Sequence, residues 1–348
     1  MPDSSLPLPA KSSSALERQL AVQRGRRPGD PLLSLVVPVF NEEESIDLFL
    51  TTVEPFLDRA GLRFEIVFVN DGSRDDTLSH LLDCSRRDAR IRIVNLSRNF
   101  GKEAALTAGI DRAEGEVVLL MDADGQHPPT LLPRMLAAWE QGADMVCAAR
   151  ASRADETWVK RVGTWLFYRL VNANPSVQIP VDAGDFRLMD RKVVDVLKAL
   201  PERNRFMKGL YAWVGFRTEI IDYLPAERLS GHSTFSLRSL ARLAFTGVTA
   251  FTNLPLRLWS ALGALIAFGA IAFGVWIVVD HFIHGHDVPG WATLVTGMML
   301  FSGVQLLSIG ILGEYVGRIF DEVKQRPVYV VGAEMGRGAL TPQADRGA

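Results

Sequence analysis

Cysteine is nearly absent: among 348 residues only Cys84 and Cys147 occur. So few thiols exclude a small disulfide-stapled scaffold and suit a reducing compartment. No His/Cys cluster accompanies them, which excludes a cysteine-based structural zinc site and leaves both as small buried hydrophobes. An excess of either charge is missing too. Lys and Arg number 38 against 40 Asp and Glu, a formal net charge of -2, so a general nucleic-acid-binding role has no electrostatic support. Residues 1–31 are rich in Ser, Pro and Arg but lack a continuous apolar stretch. They read as a disordered cytosolic tail and not as a signal peptide. Two glycine motifs are also lacking. No G-x-G-x-x-G follows the first strand-like run, which argues against a dinucleotide oxidoreductase. Phe100-Gly101-Lys102 looks like the tail of a P-loop, but position 96 is Leu where that motif needs its first glycine.

What the chain does have is hydrophobicity, 48% of its residues, concentrated in the last quarter. Residues 258–279 and 288–313 contain no charged side chain. At 1.5 Å per residue each is long enough to cross a hydrocarbon core of about 30 Å. Two such runs joined by a short loop predict two transmembrane helices in preference to a pair of buried core helices. Trp259, Trp276 and Trp291 lie near the run ends, where indole rings favour the headgroup level. The connector, residues 280–287, has neither Lys nor Arg, whereas Arg238, Arg242 and Arg257 precede the first run and Arg318, Lys324 and Arg326 follow the second. The positive-inside rule therefore puts both chain ends in the cytoplasm and a periplasmic loop at 280–290. Its three histidines read as a polar turn, with metal binding as the other possibility. Glu314 and Arg318 are spaced as an i,i+4 helix pair, and Gly313 and Gly317 permit close helix approach.

Between residues 32 and 150 the pattern alternates. Short apolar runs at 35–40, 65–69, 91–94, 117–120 and 144–147 are separated by stretches of helical period such as 42–60 and 102–113. That alternation predicts an α/β unit whose parallel sheet is covered on both faces. In such sheets ligands bind at the carboxyl ends of the strands. Those ends carry Asn41-Glu42-Glu43-Glu44, Asn70-Asp71-Gly72-Ser73 and Asp122-Ala123-Asp124-Gly125-Gln126. Asn41 and Asp71 also suit helix caps, because their side-chain oxygens can take free backbone N–H groups. Capping is a poorer account of Asp122 and Asp124. Two carboxylates one residue apart repel unless a cation lies between them, and with the amide oxygen of Gln126 they form a hard-oxygen set suited to Mg²⁺ or Mn²⁺.

Seven segments, in order, extend the picture: VVPVFNEEESI, VNDGSRDDT, NLSRNFGKEAALTAGID, MDADGQHPP, AGDFRLMDR, RNRFMKGLYAWVGF and GEYVGRIFDEVKQRPVY. With two apolar runs near the end, the chain resembles the membrane-bound polyprenyl-phosphate glycosyltransferases of the GT-A fold, family 2. The likeness covers roughly residues 32–331 and is greatest to the bacterial undecaprenyl-phosphate glucosyltransferase type with two C-terminal transmembrane helices, which is also similar to dolichyl-phosphate mannose synthase. The resemblance implies a GT-A (Rossmann-like, mostly parallel) catalytic domain over 32–235, an interfacial amphipathic helix region over 236–257, two membrane helices within 258–313 and a cytoplasmic segment over 314–348. It implies inverting transfer of one sugar from a nucleotide sugar, UDP-glucose first, to undecaprenyl phosphate at the cytoplasmic face of a bacterial inner membrane, with a divalent metal and a homo-oligomer. GDP-mannose, UDP-N-acetylhexosamine and a modified pentose donor stay open. So, at a greater distance, do a processive polysaccharide synthase, whose Q-x-x-R-W motif is missing, and a non-enzymatic membrane scaffold.

Carried over by position, the resemblance places Pro38, Glu42 and Asp71 around the base and ribose. Asp122, Asp124 and Gln126 fall at the metal, Asp185 at the catalytic position, and Arg150, Lys160 and Arg161 at phosphate groups. The loop before the membrane departs from the family's R-x-x-G-x-S/T-K pattern. Arg228, Gly231 and Ser233 fit, but Thr234 stands where Lys is usual, so Arg228 is the remaining phosphate-binding candidate there. Just beyond, Leu237, Leu240, Ala241, Ala244, Val248 and Phe251 recur at helical spacing, with Arg238 and Arg242 on another face. This reads as a helix lying on an anionic leaflet, or as an amphipathic helix packed on the soluble domain.

Overall fold

A computed structural model describes residues 27–150, 169, 179–180, 183–203, 205–224, 254–284 and 290–336. Eight strands form one sheet: β1 (Leu32–Val39), β2 (Arg63–Asn70), β3 (Ile91–Leu96), β4 (Val117–Leu120), β5 (Met145–Arg150), β6 (Ala183–Asp190), β7 (Thr218–Tyr223) and β8 (Val331–Met335). Their order is β7-β5-β6-β4-β1-β2-β3-β8. Helices α1 (Ile46–Arg59), α2 (Thr77–Arg87), α3 (Lys102–Arg112) and α4 (Leu132–Glu140) alternate with the first five strands, and α5 (Arg191–Ala199) and α6 (Met207–Trp213) follow β6. The five strands expected from the apolar runs are all present.

Strand β1 shows why the sheet is covered on both sides. Leu33, Leu35 and Val37 join a core with Ile46, Phe49 and Leu57 of α1, while Val36 joins a second core with Ala105, Leu106 and Ile110 of α3. Successive side chains of a strand point to opposite faces, so an unbroken apolar run needs a partner layer on each. Helix α3 comes unusually close. A Cβ at Gly109 would stand 2.2 Å from Val36 Cγ1 and 3.0 Å from Val69 Cγ2.

The sheet is mostly parallel, as expected, but mixed, and not parallel throughout as the strand–helix alternation alone implies. Pairs β1–β2, β1–β4, β2–β3 and β5–β7 are parallel; β4–β6, β5–β6 and β3–β8 are antiparallel. The parallel set keeps its crossover helices. Strand β6 lies between β4 and β5 and runs antiparallel to both. Strand β8 comes from beyond the last long helix and closes the edge at β3. There Glu334 pairs with Arg92 and Arg112, and the Tyr329 hydroxyl donates to Asp111 at 2.7 Å.

The helix-cap alternative for Asn41 and Asp71 does not hold. Helix α1 starts at Ile46 behind Ser45, and Asn41 instead accepts the Arg74 N–H while holding a left-handed φ of 54°. Asp71 accepts the N–H groups of Phe100 and Gly101 at 2.7 and 2.9 Å, tying the end of β2 to the loop before α3.

Two long helices follow, α7 (Leu254–His284) and α8 (Trp291–Lys324), and they touch each other. Among the described residues one segment, Gly297–Lys324, is apolar and long enough to cross a membrane by length and composition, with a mean hydropathy of 1.5; α7 carries a shorter apolar stretch, Ala261–Trp276. Large apolar side chains face outward on both, among them Phe268 (73% exposed) and Met299 (73%). Arg318 meets Glu314 at 3.2 Å, as their spacing predicted. The charge-free runs are shorter than the helices they sit in: α7 extends through His284, into the expected loop at 280–290. Residues 1–26 of the expected tail and the interfacial-helix segment up to residue 253 lie outside the described residues. So do Lys160, Arg161, Arg228, Thr234 and residues 285–289. The tail's last residues are anchored. The Arg27 guanidinium lies 4.3 Å over the Trp139 ring, and Asp30 pairs with Arg63 at 2.9 Å.

Candidate active site

Because β4, β1 and β2 are parallel neighbours, their carboxyl ends open on one side of the sheet. A cavity of about 310 Å³ lies there, lined among others by Pro38, Glu42, Asp71, Lys102, Asp122 and Asp124. Pro38, Glu42 and Asp71, expected at the base and ribose, and Asp122 and Asp124, expected at the metal and the donor, thus line one space. The carboxylates in it shape one another. Burial, opposed by the Ser45 hydroxyl and reinforced by Asp124 and Asp122, raises the Glu42 carboxyl above its ordinary range. Burial also raises Asp71, against the two N–H groups it accepts.

Asp185 reaches the site through the antiparallel register of β6. Leu120 lies opposite Arg187, so Asp185, two residues earlier on β6, comes beside Asp122, two residues past Leu120. Lys102 fills the gap between them: its Nζ is 2.7 Å from Asp122 Oδ2 and 3.1 Å from Asp185 Oδ2. Burial alone would raise the Asp185 carboxyl, but Lys102, Lys208 and Arg187 outweigh it and hold the group at about 2. The side chain is 15% exposed, and its Oδ1 has no hydrogen-bond partner among the described residues. Lys102 is correspondingly pushed up: burial lowers it, and the two aspartates more than compensate.

The Asp122–His127 turn is braced from inside. Gly125 takes a φ of 74°, which L-residues rarely adopt, and the turn folds back on itself. Gln126 N–H donates to Asp124 Oδ1 at 3.0 Å, and Asp122 N–H donates to His127 Nδ1 at 3.1 Å. Gln126 Oε1 accepts from Arg150 at 2.9 Å, and Arg150 also bonds Tyr223. The expected phosphate-binding Arg150 therefore abuts the D-x-D turn, and Gln126 has its oxygen on Arg150. Two carboxylates at one strand end, lining one cavity, are hard-oxygen donors of the kind that take a divalent cation; here Lys102 pairs with one of them.

Three groups escaped the sequence reading. Lys102 belongs to the incomplete P-loop motif, yet its place at the start of α3 sets it at the strand ends. Glu103, next to it, accepts the Met207 N–H at 3.0 Å; burial and Asp185 raise its carboxyl to about 7, against Met207, Lys208 and Lys102. His127 lies inside MDADGQHPP, with no local pattern to mark it.

The geometry thus offers one candidate site: a carboxylate-lined cavity at parallel strand ends, with a D-x-D turn and a third aspartate across a lysine. Residues 34–197 match the family description "Glycosyl transferase family 2", and the chain belongs to that family and is a glycosyltransferase. An SfII prophage-derived bactoprenol glucosyl transferase of Shigella flexneri is 44% identical over 299 residues, 86% of this chain and 97% of that protein. An uncharacterized glycosyltransferase of Synechocystis sp. is also 44% identical, over 86% of this chain and 94% of that one. Among solved structures, mannosyl-3-phosphoglycerate synthase from Rubrobacter xylanophilus overlaps at a TM-score of 0.45 and 19% identity, covering 71% of this chain and 84% of that one.

Proposed function

We propose that the enzyme transfers a single sugar, glucose from UDP-glucose in the first instance, to undecaprenyl phosphate at the cytoplasmic face of the membrane, inverting the anomeric carbon. One observation carries the reading: Glu42, Asp71, Asp122 and Asp124 line one cavity, and Lys102, which also lines it, ties Asp122 to Asp185. The name of the Shigella relative, matched over nearly its full length, supports the acceptor and the sugar.

The proposed chemistry needs no proton abstraction. A phosphate oxygen of the lipid, already anionic, attacks the anomeric carbon. The bond from that carbon to the nucleoside diphosphate breaks, and its electron pair leaves with the diphosphate. Mg²⁺ or Mn²⁺ held by Asp122 and Asp124, with Gln126 once it leaves Arg150, would supply positive charge against the departing diphosphate. Lys102 adds a fixed cation in the same place, and Arg150, with Lys160, Arg161 and Arg228, would bind phosphate oxygens by charge-assisted hydrogen bonds. Asp185, ionised at all ordinary pH, stabilises positive charge on the sugar ring and orients Lys102. Helices α7 and α8 would span the bilayer, bringing the cavity to where a lipid phosphate emerges, in a homo-oligomer.

A donor panel tests this. The purified chain with undecaprenyl phosphate and Mn²⁺ or Mg²⁺ is given UDP-glucose, GDP-mannose, UDP-N-acetylhexosamine or a modified pentose donor in turn. Glucosyl lipid from UDP-glucose alone is expected. A different productive sugar corrects the donor, and no lipid-linked product from any of them overturns the reading.

A further inference from the structure

Three elements converge on one imidazole that the transfer chemistry above does not use. His127 closes the D-x-D turn and is 6% exposed. Its ring lies flat on Phe186 of β6, with centroids 4.8 Å apart and planes 11° from parallel, and meets Tyr223 of β7 edge-on at 6.4 Å. Phe186 and Tyr223 are themselves edge-on at 6.2 Å. The three rings lock the turn after β4 to the strand that carries Asp185 and to the strand beyond it. The packed ring then aims a nitrogen back along its own loop, where Nδ1 accepts the Asp122 N–H at 3.1 Å. With Nδ1 accepting, the proton of the neutral ring sits on Nε2, which lies 3.9 Å from Asp122 Oδ2, outside hydrogen-bond range.

We infer that His127 is a positioning residue for the cation site: by fixing the Asp122 backbone N–H it sets where the Asp122 carboxylate stands relative to Asp124. The inference rests on the cation reading of Asp122 and Asp124 given above. The physical need is specific. Asp122 lies just past the last paired residue of β4, so its N–H is not held by the β4–β6 ladder. A carboxylate on an unsecured strand end would swing when cation and diphosphate arrive, and residues that orient metal ligands typically change metal affinity by about 10- to 100-fold when replaced. A packing role alone would need the ring but not its nitrogen.

Two substitutions separate nitrogen from ring. His127→Phe keeps an aromatic ring against Phe186 and Tyr223 but has no acceptor. His127→Asn loses the stack but offers an amide oxygen near the place of Nδ1. Mn²⁺ binding by the full-length protein in detergent with UDP present is measured by electron paramagnetic resonance of the free ion, without turnover. His127→Phe should bind Mn²⁺ roughly 10- to 100-fold more weakly, and His127→Asn should stay near the parent. Parent-like binding by His127→Phe, or an equal loss in both variants, overturns the inference and leaves the cation site standing. A parent chain that binds no Mn²⁺ overturns the cation site, and this inference with it. Should His127→Phe fail to fold by circular dichroism, His127→Asn decides alone: retained affinity supports the acceptor role and a tenfold loss rejects it.

Discussion

Asp185 and Glu103 are two carboxyls in one buried neighbourhood held in opposite states. Asp185 has three cations around it and is pinned at about 2, so it is an anion throughout the working range. Asp185→Asn keeps the shape and removes the charge. Turnover is expected to fall by about 10²-fold or more, the scale of losing one transition-state electrostatic contact, with UDP affinity changed far less; parent-like turnover removes Asp185 from the mechanism. Glu103, at about 7 against an ordinary 4.5, is the reverse case. Between those two values the folded protein holds a proton that the unfolded chain has released, so stability from this group falls as pH rises through the window and is level outside it. Glu103→Gln keeps an acceptor for Met207 and cannot ionise. Its melting temperature should therefore gain on the parent as pH goes from 5 to 8; a difference independent of pH would show that Glu103 does not titrate there. Of these residues, Asp122, Asp124 and Asp185 were legible in the sequence, because paired carboxylates at a strand end and a seven-motif resemblance point to them. Lys102, Glu103 and His127 were not, since each gains its role from a contact 5 to 104 residues away.

At the scale of elements, strand and helix periods were readable wherever burial is two-sided or one-faced, and that covers β1–β5 with α1 and α3. Strand β6 was not readable as a strand. Its sequence, AGDFRLMD, mixes charge and apolar groups because Asp185 belongs to the site and Arg187 lies buried with its guanidinium 3.6 Å over Tyr211. Strand β8 was hidden for another reason: a five-residue edge strand carries little pattern of its own and takes its conformation from the partner it finds at β3. Helix α3 gives a prediction at this scale. Gly109→Ala must push Val36 or the helix aside, which should cost about 1–3 kcal/mol, read as a lower midpoint in chemical denaturation. Since α3 carries Lys102, activity should fall along with stability. An unchanged midpoint would mean that the helix does not press on Val36 at this position.

The whole molecule joins an α/β transferase unit to two long helices with outward-facing apolar side chains, and β8 then returns the chain to the sheet. The proposed bilayer attachment predicts that washing membranes with alkaline carbonate leaves the protein in the pellet and that only detergent releases it; recovery in the carbonate supernatant would count against spanning helices. By itself the sequence determined the α/β alternation, the carboxylates at strand ends, the apolar tail and the family, because each is written in local period or in residues close together along the chain. Only the tertiary structure decided that the sheet is mixed, that Asp185 stands beside Asp122 with Lys102 between them, and that His127 holds the D-x-D turn. Those facts depend on strand direction and register, which are set by packing between segments far apart in the chain and leave no local trace.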